Sequence, residues 1–76
     1  MKRATFYHAG CGVCTTAEQT VVGALDRTRF EVEVVNVLEA RDRIAEAGRA
    51  GVKTLPVLVV EGVPFHINFG ANLADV

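Results

Sequence analysis

The chain has 76 residues, half of them hydrophobic, and its eight Lys and Arg against nine Asp and Glu give a formal net charge of −1. This length predicts one domain, residues 1–76, and excludes a dinucleotide-binding Rossmann domain, a barrel and any enzyme with two lobes. The dispersed, nearly balanced charge does not indicate a nucleic-acid partner, and no apolar run approaches the roughly 20 residues of a membrane span. We expect a cytoplasmic protein with no membrane partner.

The first third of the chain predicts a strand and then a helix. Residues 3–8 carry aromatic and β-favouring side chains and end at the turn signal Ala9–Gly10. A helix is predicted from Cys11 to about Asp26, because apolar or small residues recur there at helical spacing. These residues are Cys14, Ala17, Val21 and Leu25. Cys11 is thereby placed at the helix N-terminus.

A second strand and a second helix follow. Residues 30–37 alternate apolar and acidic side chains and then become continuously apolar, so they predict a strand with one partly wet face that carries Glu31 and Glu33. Residues 38–50 predict a helix with Gly51 as its C-terminal cap and with a Glu39–Arg43 ion pair. Its apolar stripe consists of Ala40, Ile44 and Ala47.

The last third predicts a hairpin. Residues 57–60 are apolar on both faces and indicate a central strand, Glu61–Gly62 is a turn signal, and Pro64 marks the following strand as an edge. On that last strand we expect a shared, buried face formed by Phe65, Ile67 and Phe69. The tail from residue 70 leaves room for about two helical turns. The order β-α-β-α-β-β-α predicts an α/β protein with a four-stranded mixed sheet.

The two cysteines, Cys11 and Cys14, lie too close together for a structural staple. A disulfide between them closes a very short loop, worth roughly 2 kcal/mol by loop entropy. In the cytosol, where thiols are kept reduced, such a pair indicates redox chemistry or metal binding. The helix N-terminus would stabilise a Cys11 thiolate, and Cys14 on the inward face could resolve a mixed disulfide.

A soft-metal or metalloid carrier or sensor is the alternative from another functional class. His8, Cys11 and Cys14 are spaced three residues apart, and small metal carriers also place a cysteine pair between their first strand and first helix. Those carriers follow the first helix with a hairpin, whereas here the hairpin comes last. A tetrahedral zinc site also needs a fourth ligand, and His66 lies far along the chain on the predicted edge strand.

Two motifs in the chain resemble the active-site segments of the thioredoxin and glutaredoxin family. Residues 6–14, Phe-Tyr-His-Ala-Gly-Cys-Gly-Val-Cys, are similar to the turn that carries the cysteine pair. Residues 51–56, Gly-Val-Lys-Thr-Leu-Pro, are similar to the family's Gly-Val-x-Ser/Thr-x-Pro segment. The motifs occur in the family's order, and the resemblance spans residues 3–70. It implies a minimal thioredoxin fold, here with a short C-terminal helix.

The resemblance also implies a function and a site. The chain would be a thiol–disulfide oxidoreductase that exchanges its dithiol with protein or small-molecule disulfides. Cys11 would be the nucleophile and Cys14 the resolving thiol, while Thr54, Leu55 and a cis Pro56 would position the substrate. No cofactor is expected beyond the redox-active Cys11–Cys14 disulfide, which glutathione or a separate reductase would reduce.

The chain departs from both branches of this family around its cysteines. Thioredoxins usually carry Trp before the first cysteine and Pro between the two, where this chain has Gly10 and Val13, and it contains no Trp. Glutaredoxins usually have Pro-Tyr between the cysteines and a Gly-Gly and Asp near the last helix. Here Gly12–Val13 and residues 70–72, Gly-Ala-Asn, stand in those places. The sequence therefore leaves the electron donor open.

Basic residues near the site have two interpretations each. His8 as a cation could stabilise the Cys11 thiolate, or as a neutral ring could carry its proton, but it also fits an exposed residue at a strand end. Lys53 could attract an anionic substrate or be an ordinary solvated loop lysine. His66 is expected to be a polar residue on the wet face of the edge strand.

The hydrophobic content suggests a partner chain. Half of the residues are hydrophobic, which is more than so small an interior accommodates. The short tail after residue 70 also leaves a sheet face around the third and fourth strands uncovered. We hypothesise that a homodimer buries this face.

Overall fold

Residues 2–76 form a mixed sheet of four strands in this computed structural model, which describes Asn68 by its backbone alone. The strands are β1 (Lys2–His8), β2 (Phe30–Asn36), β3 (Thr54–Val60) and β4 (Val63–Asn72), in the spatial order β2-β1-β3-β4. β1 is parallel to β2, whereas the β1–β3 and β3–β4 pairs are antiparallel. The predicted fold class is confirmed. Met1, part of the predicted domain 1–76, lies outside the described residues.

The first helical segment has nearly the predicted length but changes its winding, whereas the later helices are shorter than predicted. Helix α1 spans Gly12–Ala17 and continues as a wider π-helical turn over Glu18–Val22. A 3-10 turn at Arg41–Arg43 leads into α2, Ile44–Arg49. At the C-terminus a single 3-10 turn, Leu73–Asp75, replaces the two helical turns that were expected. Within the described part of the chain, no helix has the length and apolar character to cross a membrane.

The π-helical turn changes which residue enters the core. Helical spacing predicts Val21 at the buried position, but Val22 is buried there and Val21 is only partly covered. A π-helical turn holds more residues than an α-helical turn, so the apolar face moves along the chain. Cys14 and Ala17, which precede this turn, are buried as predicted.

The helix predicted over residues 38–50 begins later because Asn36 organises the segment before it as a turn. The Asn36 side-chain oxygen accepts a hydrogen bond from the N–H of Leu38 at 3.0 Å. The Asn36 carbonyl oxygen accepts one from the N–H of Ala40 at 2.9 Å. Such local bonds from an Asn side chain compete with helix formation.

Two apolar layers cover opposite faces of the sheet. The layer under α1 consists of Ala4, Phe6, Ala17, Val22 and Leu58. The larger layer under α2 consists of Tyr7, Val35, Val37, Ala47, Val52, Leu55, Val57, Val59 and Leu73. Side chains alternate across a strand, so β1 and β3 contribute to both layers and hold them in register.

Strand β4 leaves apolar side chains uncovered. Phe65 and Phe69, which were predicted to be buried, are 52% and 59% exposed, and Val63 is 53% exposed. The prediction was wrong because the chain after Phe69 does not return over the sheet as a helix. It continues as strand to Asn72 and ends in a single turn.

A charged cluster fastens α2 to the sheet. Arg43 donates two hydrogen bonds to Glu33 of β2, at 2.8 and 2.9 Å, and two to Glu46 of α2, at 2.9 and 2.8 Å. Tyr7 of β1 donates its hydroxyl hydrogen to Glu46. Arg43 thus contacts these two carboxylates and not the predicted Glu39, and Glu33 is part of a cluster, not simply solvated. The reason is that Arg43 lies in the 3-10 turn, where it reaches β2.

The cluster shifts the titration of its members. Hydrogen bonds from Arg43, and next from Tyr7, lower the pKa of Glu46 to about 2. The hydrogen bonds that Arg43 donates to Glu33 likewise lower the pKa of Glu33. Burial, followed by the hydrogen bond to Glu46, raises the pKa of Tyr7 to about 12. The folded state therefore favours an ionised Glu46 beside a protonated Tyr7.

We expect Glu46→Gln to lower the free energy of unfolding near neutral pH, because it removes the ion pair with Arg43. The loss should be about 1 kcal/mol, since the Glu46 side chain is partly exposed and solvent screens the pair. The folded pKa of Glu46, about 2, lies below its unfolded value, so this stabilisation is complete above about pH 4.5 and is lost as the pH falls towards 2. Urea unfolding across that range measures it. Glu31→Gln, an exposed change on β2, is the control, and equal effects of the two variants would contradict the prediction.

Candidate dithiol site

Cys11 directly precedes α1, and its sulfur faces the first turn of that helix. The Sγ atom accepts a hydrogen bond from the backbone N–H of Cys14 at 3.1 Å, and the Cys11 carbonyl accepts one from the N–H of Thr15 at 2.9 Å. Both thiols are free, with Cys11 partly exposed and Cys14 fully buried. Cys11 is therefore the more exposed of the two cysteines, and its sulfur accepts a hydrogen bond from the backbone.

Cys14 has the opposite environment. It lies on the inward face of α1, between the helix and the sheet. Burial raises the pKa of the Cys14 thiol; backbone hydrogen bonds with Ala9 and Cys11 oppose this shift, and the Cys11 side chain adds to it. At neutral pH Cys14 is thus held as a thiol, next to a more accessible sulfur. The two cysteines differ in the way that two successive steps of thiol exchange require.

Strand β4 brings Gly70 against both sulfurs. A Cβ atom on Gly70 would lie 2.6 Å from Cys11 Sγ, 3.4 Å from Cys14 Sγ and 3.0 Å from the carbonyl oxygen of Leu55. The peptide bond between Leu55 and Pro56 is cis, as the family resemblance implies. The cysteine pair and the segment before Pro56 therefore surround one point on β4, which only a residue without a side chain can occupy.

This close approach depends on an irregular ladder between β3 and β4. β3 pairs Val57 with His66 and then Leu55 with Ala71, so β4 takes several more residues than β3 between these pairs. Such a bulge bends the strand and redirects the residues beyond it. Gly70 was not predicted as a site residue. A glycine within a strand pattern is itself a signal of a bulge or a close backbone approach.

The other predicted site residues lie around this point with different exposure. Leu55 and Pro56 are buried, Thr54 is partly buried and pairs with Asn72 of β4, and Lys53 is exposed. The Lys53 carbonyl accepts a hydrogen bond from the N–H of Leu73 at 2.9 Å. The segment before the cis bond is therefore held by the end of β4.

His8 contacts the turn that precedes Cys11. Its Nδ1 accepts a hydrogen bond from the N–H of Gly10 at 3.0 Å, and its Nε2 lies 3.7 Å from a carboxylate oxygen of Glu18. Both ring nitrogens therefore have partners within the protein. No group of three or more His, Cys, Asp or Glu side chains among residues 2–76 is placed to hold a metal ion.

His66 has a contact that the sequence did not predict. It is exposed on β4, as expected, but its Nε2 accepts a hydrogen bond from the backbone N–H of Lys53 at 3.1 Å. The sequence could not reveal this bond, because Lys53 and His66 lie at opposite ends of the irregular part of the β3–β4 ladder.

A shallow surface cavity begins beside the cysteines and runs along α1. Its volume is about 380 Å³, and it separates α1 from β4. We call it the α1–β4 groove, and its lining consists of Gly12, Val13, Thr16, Ala17, Thr20, Val21 and Ile67. Val63 and Phe65 lie on the same sheet face as Ile67, because strand side chains alternate. The groove and these exposed side chains form one apolar surface that reaches the first turn of α1.

Comparison with known proteins gives a similarity to a solved structure. The sequence matches no protein-family model and no curated protein. Among solved structures it is similar to a dimeric thioredoxin-like protein from Nitrosomonas europea, determined in solution by NMR. The two chains share 53% sequence identity over 97% of this chain and 92% of the other, with a TM-score of 0.91. With this identity over almost the whole length, the two chains are related in sequence and do not merely share a fold.

We expect Gly70→Ala to destabilise the protein by about 1–3 kcal/mol, the usual cost of overpacking. Its Cβ would displace Cys11 Sγ from the N–H of Cys14, so the reaction of Cys11 with a small aromatic disulfide reagent should slow as well. Urea unfolding and stopped-flow thiol titration measure the two effects. Gly23→Ala is the control: its Cβ meets nothing within 4 Å, so that variant should match or exceed wild-type stability. Wild-type stability and reactivity in Gly70→Ala would contradict the prediction.

Proposed function

This chain belongs to the thioredoxin-like proteins, and we propose that it is a thiol–disulfide oxidoreductase acting through Cys11 and Cys14 on protein or small-molecule disulfides. One observation carries the proposal: the sulfur of the partly exposed Cys11 accepts a hydrogen bond from the backbone N–H of Cys14, whose own side chain is fully buried. Thiol exchange needs a reachable nucleophile and a second sulfur held in reserve. We also propose that residues 1–76 act as one domain in the cytoplasm, where thiols are kept reduced.

The reaction has two exchange steps. The Cys11 thiolate attacks one sulfur of the substrate disulfide, forms a mixed disulfide and releases the first substrate thiolate, which takes a proton from solvent. Cys14 then loses its proton and attacks Cys11 Sγ, which closes the Cys11–Cys14 disulfide and releases the second substrate thiol with that proton. Two electrons pass from the dithiol to the substrate. The burial of Cys14 and its raised pKa disfavour it as the first nucleophile.

Substrate positioning is assigned to Thr54, Leu55 and Pro56. These residues lie at the start of β3, and the Leu55 carbonyl oxygen lies close to the same Gly70 position as both sulfurs. A substrate that reaches Cys11 therefore comes within contact distance of this segment. Lys53 is exposed beside it and would favour acidic groups on the substrate.

The oxidised pair needs an electron donor to complete a cycle. We propose glutathione or a flavin-dependent disulfide reductase in this role, since either supplies two electrons per disulfide. No resident cofactor is needed for the exchange steps, because the redox equivalents are stored in the cysteine pair itself.

We propose that the protein forms a homodimer through the apolar surface of the α1–β4 groove with Val63 and Phe65. Its relative from Nitrosomonas europea is described as dimeric. In this chain Val63 and Phe65 are each more than half exposed on an edge strand, a state that favours burial against another protein surface. A second copy supplies the same surface, as a two-fold interface requires.

The assignment of the cysteines predicts different behaviour for two single variants. Cys11→Ser removes the nucleophile and should abolish insulin reduction with dithiothreitol as donor. Cys14→Ser keeps the nucleophile but cannot resolve the first product, so it should accumulate a mixed disulfide with the substrate that is visible by mass spectrometry. The opposite pattern, trapping in Cys11→Ser, would reverse the two roles.

Running the same assay with reduced glutathione, and separately with a flavin-dependent reductase and its nicotinamide donor, identifies the electron donor. The variant that carries both Cys11→Ser and Cys14→Ser is the control. If it kept full activity with any donor, the two cysteines would not be the site of the reaction.

The dimer proposal predicts that Phe65→Glu shifts the protein from dimer to monomer in size-exclusion chromatography with light scattering, because a charge placed in an apolar interface opposes its burial. Leu38→Glu is the matched control, since Leu38 is also largely exposed but follows β2 at the opposite edge of the sheet. It should stay dimeric. A wild-type protein that is monomeric up to submillimolar concentration would overturn the proposal.

A further inference from the structure

Two histidines make the same kind of contact at two different segments of the dithiol site. Each accepts a hydrogen bond from a backbone N–H through one ring nitrogen, His8 from Gly10 and His66 from Lys53. The first segment leads directly into Cys11, and the second leads into the cis bond at Pro56. The imidazoles therefore hold the two backbone segments that meet at the cysteines.

His8 stabilises a turn that a regular backbone ladder does not hold. Gly10 has a φ of +72°, a left-handed conformation that ends the pairing of β1 just before the cysteines. Acceptance at Nδ1 places the proton of the neutral ring on Nε2, which faces Glu18 on the helical segment after α1. The ring also packs against Phe6, with ring centroids 5.8 Å apart. His8 thus connects the turn at Gly10 to the sheet and to the first helix.

His66 has the matching position on the other segment. Its backbone pairs with Val57, the last regular pair before β4 departs from the ladder. Beyond the bulge the ladder resumes, and Leu73 donates its N–H to the Lys53 carbonyl. The Lys53 N–H donates to the imidazole of His66 at 3.1 Å. Both backbone groups of Lys53 are therefore hydrogen-bonded, the N–H to the His66 side chain of β4 and the carbonyl to Leu73, the first residue after β4.

We propose that His8 and His66 are positioning residues for dithiol exchange: His8 fixes the approach to Cys11, and His66 fixes the segment that receives the substrate beside Pro56. This inference rests on the proposed thiol–disulfide exchange. The two residues act on different parts of the reaction. Loss of the His8 bond should change the reactivity of Cys11 itself, whereas loss of the His66 bond should weaken substrate binding and leave Cys11 unchanged.

Conservative substitutions separate the hydrogen bond from the ring. Asn carries its side-chain oxygen as many bonds from Cα as Nδ1 of His, so His8→Asn retains an acceptor for Gly10, whereas His8→Leu does not. Gln matches Nε2 in the same way, so His66→Gln retains an acceptor for Lys53, whereas His66→Leu does not. The thermal midpoint of each variant shows that it is folded before its chemistry is measured.

Three measurements test the proposal. The first is the alkylation rate of Cys11 by iodoacetamide in the Cys14→Ser background, which needs no substrate. The second is KM and kcat for insulin reduction. The third is amide hydrogen exchange at Gly10 and Lys53, read by NMR. We expect His8→Leu to change the alkylation rate, and His66→Leu to raise KM, each by about two- to tenfold, the factor for one lost hydrogen bond.

Each Leu variant should change its own kinetic readout and not the other one, and the conservative variants should restore the wild-type values. His66→Leu should alkylate at the wild-type rate, His8→Asn and His66→Gln should return towards wild type, and each Leu variant should lose protection only at its own amide. Equal changes of all readouts in both Leu variants, or wild-type values in both, would overturn the proposal. If wild type reduces no disulfide, the proposed function fails, but alkylation and amide exchange still decide whether each histidine holds its segment.

Discussion

The contact between Gly70 and the two cysteine sulfurs is the constraint on which the rest of the structure depends. To reach the sulfurs, β4 leaves the regular ladder after His66 and rejoins β3 at Ala71. The strand therefore runs on to Asn72, and only the turn Leu73–Asp75 follows it. Among the described residues after the strand, no helix covers Val63 and Phe65, which stay more than half exposed on the α1 face.

The two faces of the sheet are stabilised by different means as a result. On the α2 face, the ion-pair cluster centred on Arg43 and the buried Leu73 hold the helix against the layer, and a surface cavity of about 420 Å³ remains beside Ile44 and Leu73. On the α1 face, the short helix and its π-helical turn cover β1 and part of β3, and the α1–β4 groove stays open. Both faces therefore carry a cavity, but the exposed Val63 and Phe65 of β4 lie on the α1 face, which is the side where we propose that the dimer forms.

The sequence predicted those features that depend on local spacing. The order of strands and helices, the central and edge strands, and the position of Cys11 before a helix with Cys14 facing inward all follow from periodicity and turn residues. What failed depends on long-range register or on local competition: Asn36 shortens the second helix, the π-helical turn replaces Val21 by Val22, and the chain after Phe69 continues as strand instead of covering Phe65 with a helix. The histidine contacts could not be predicted either, because a hydrogen bond across a bulge has no sequence period.

The first turn of α1 is shared by the dithiol site and the α1–β4 groove. Gly12 and Val13 follow Cys11 directly, and they also form one end of the α1–β4 groove. In the proposed function, Gly12 leaves room beside Cys11 for a substrate, and in the proposed dimer the same turn borders the groove that the second chain covers. The first turn of α1, which gives Cys11 the N–H of Cys14, would then separate the substrate from the partner chain. Because Cys14 is fully buried, the proposed exchange passes its electrons to a substrate only through Cys11.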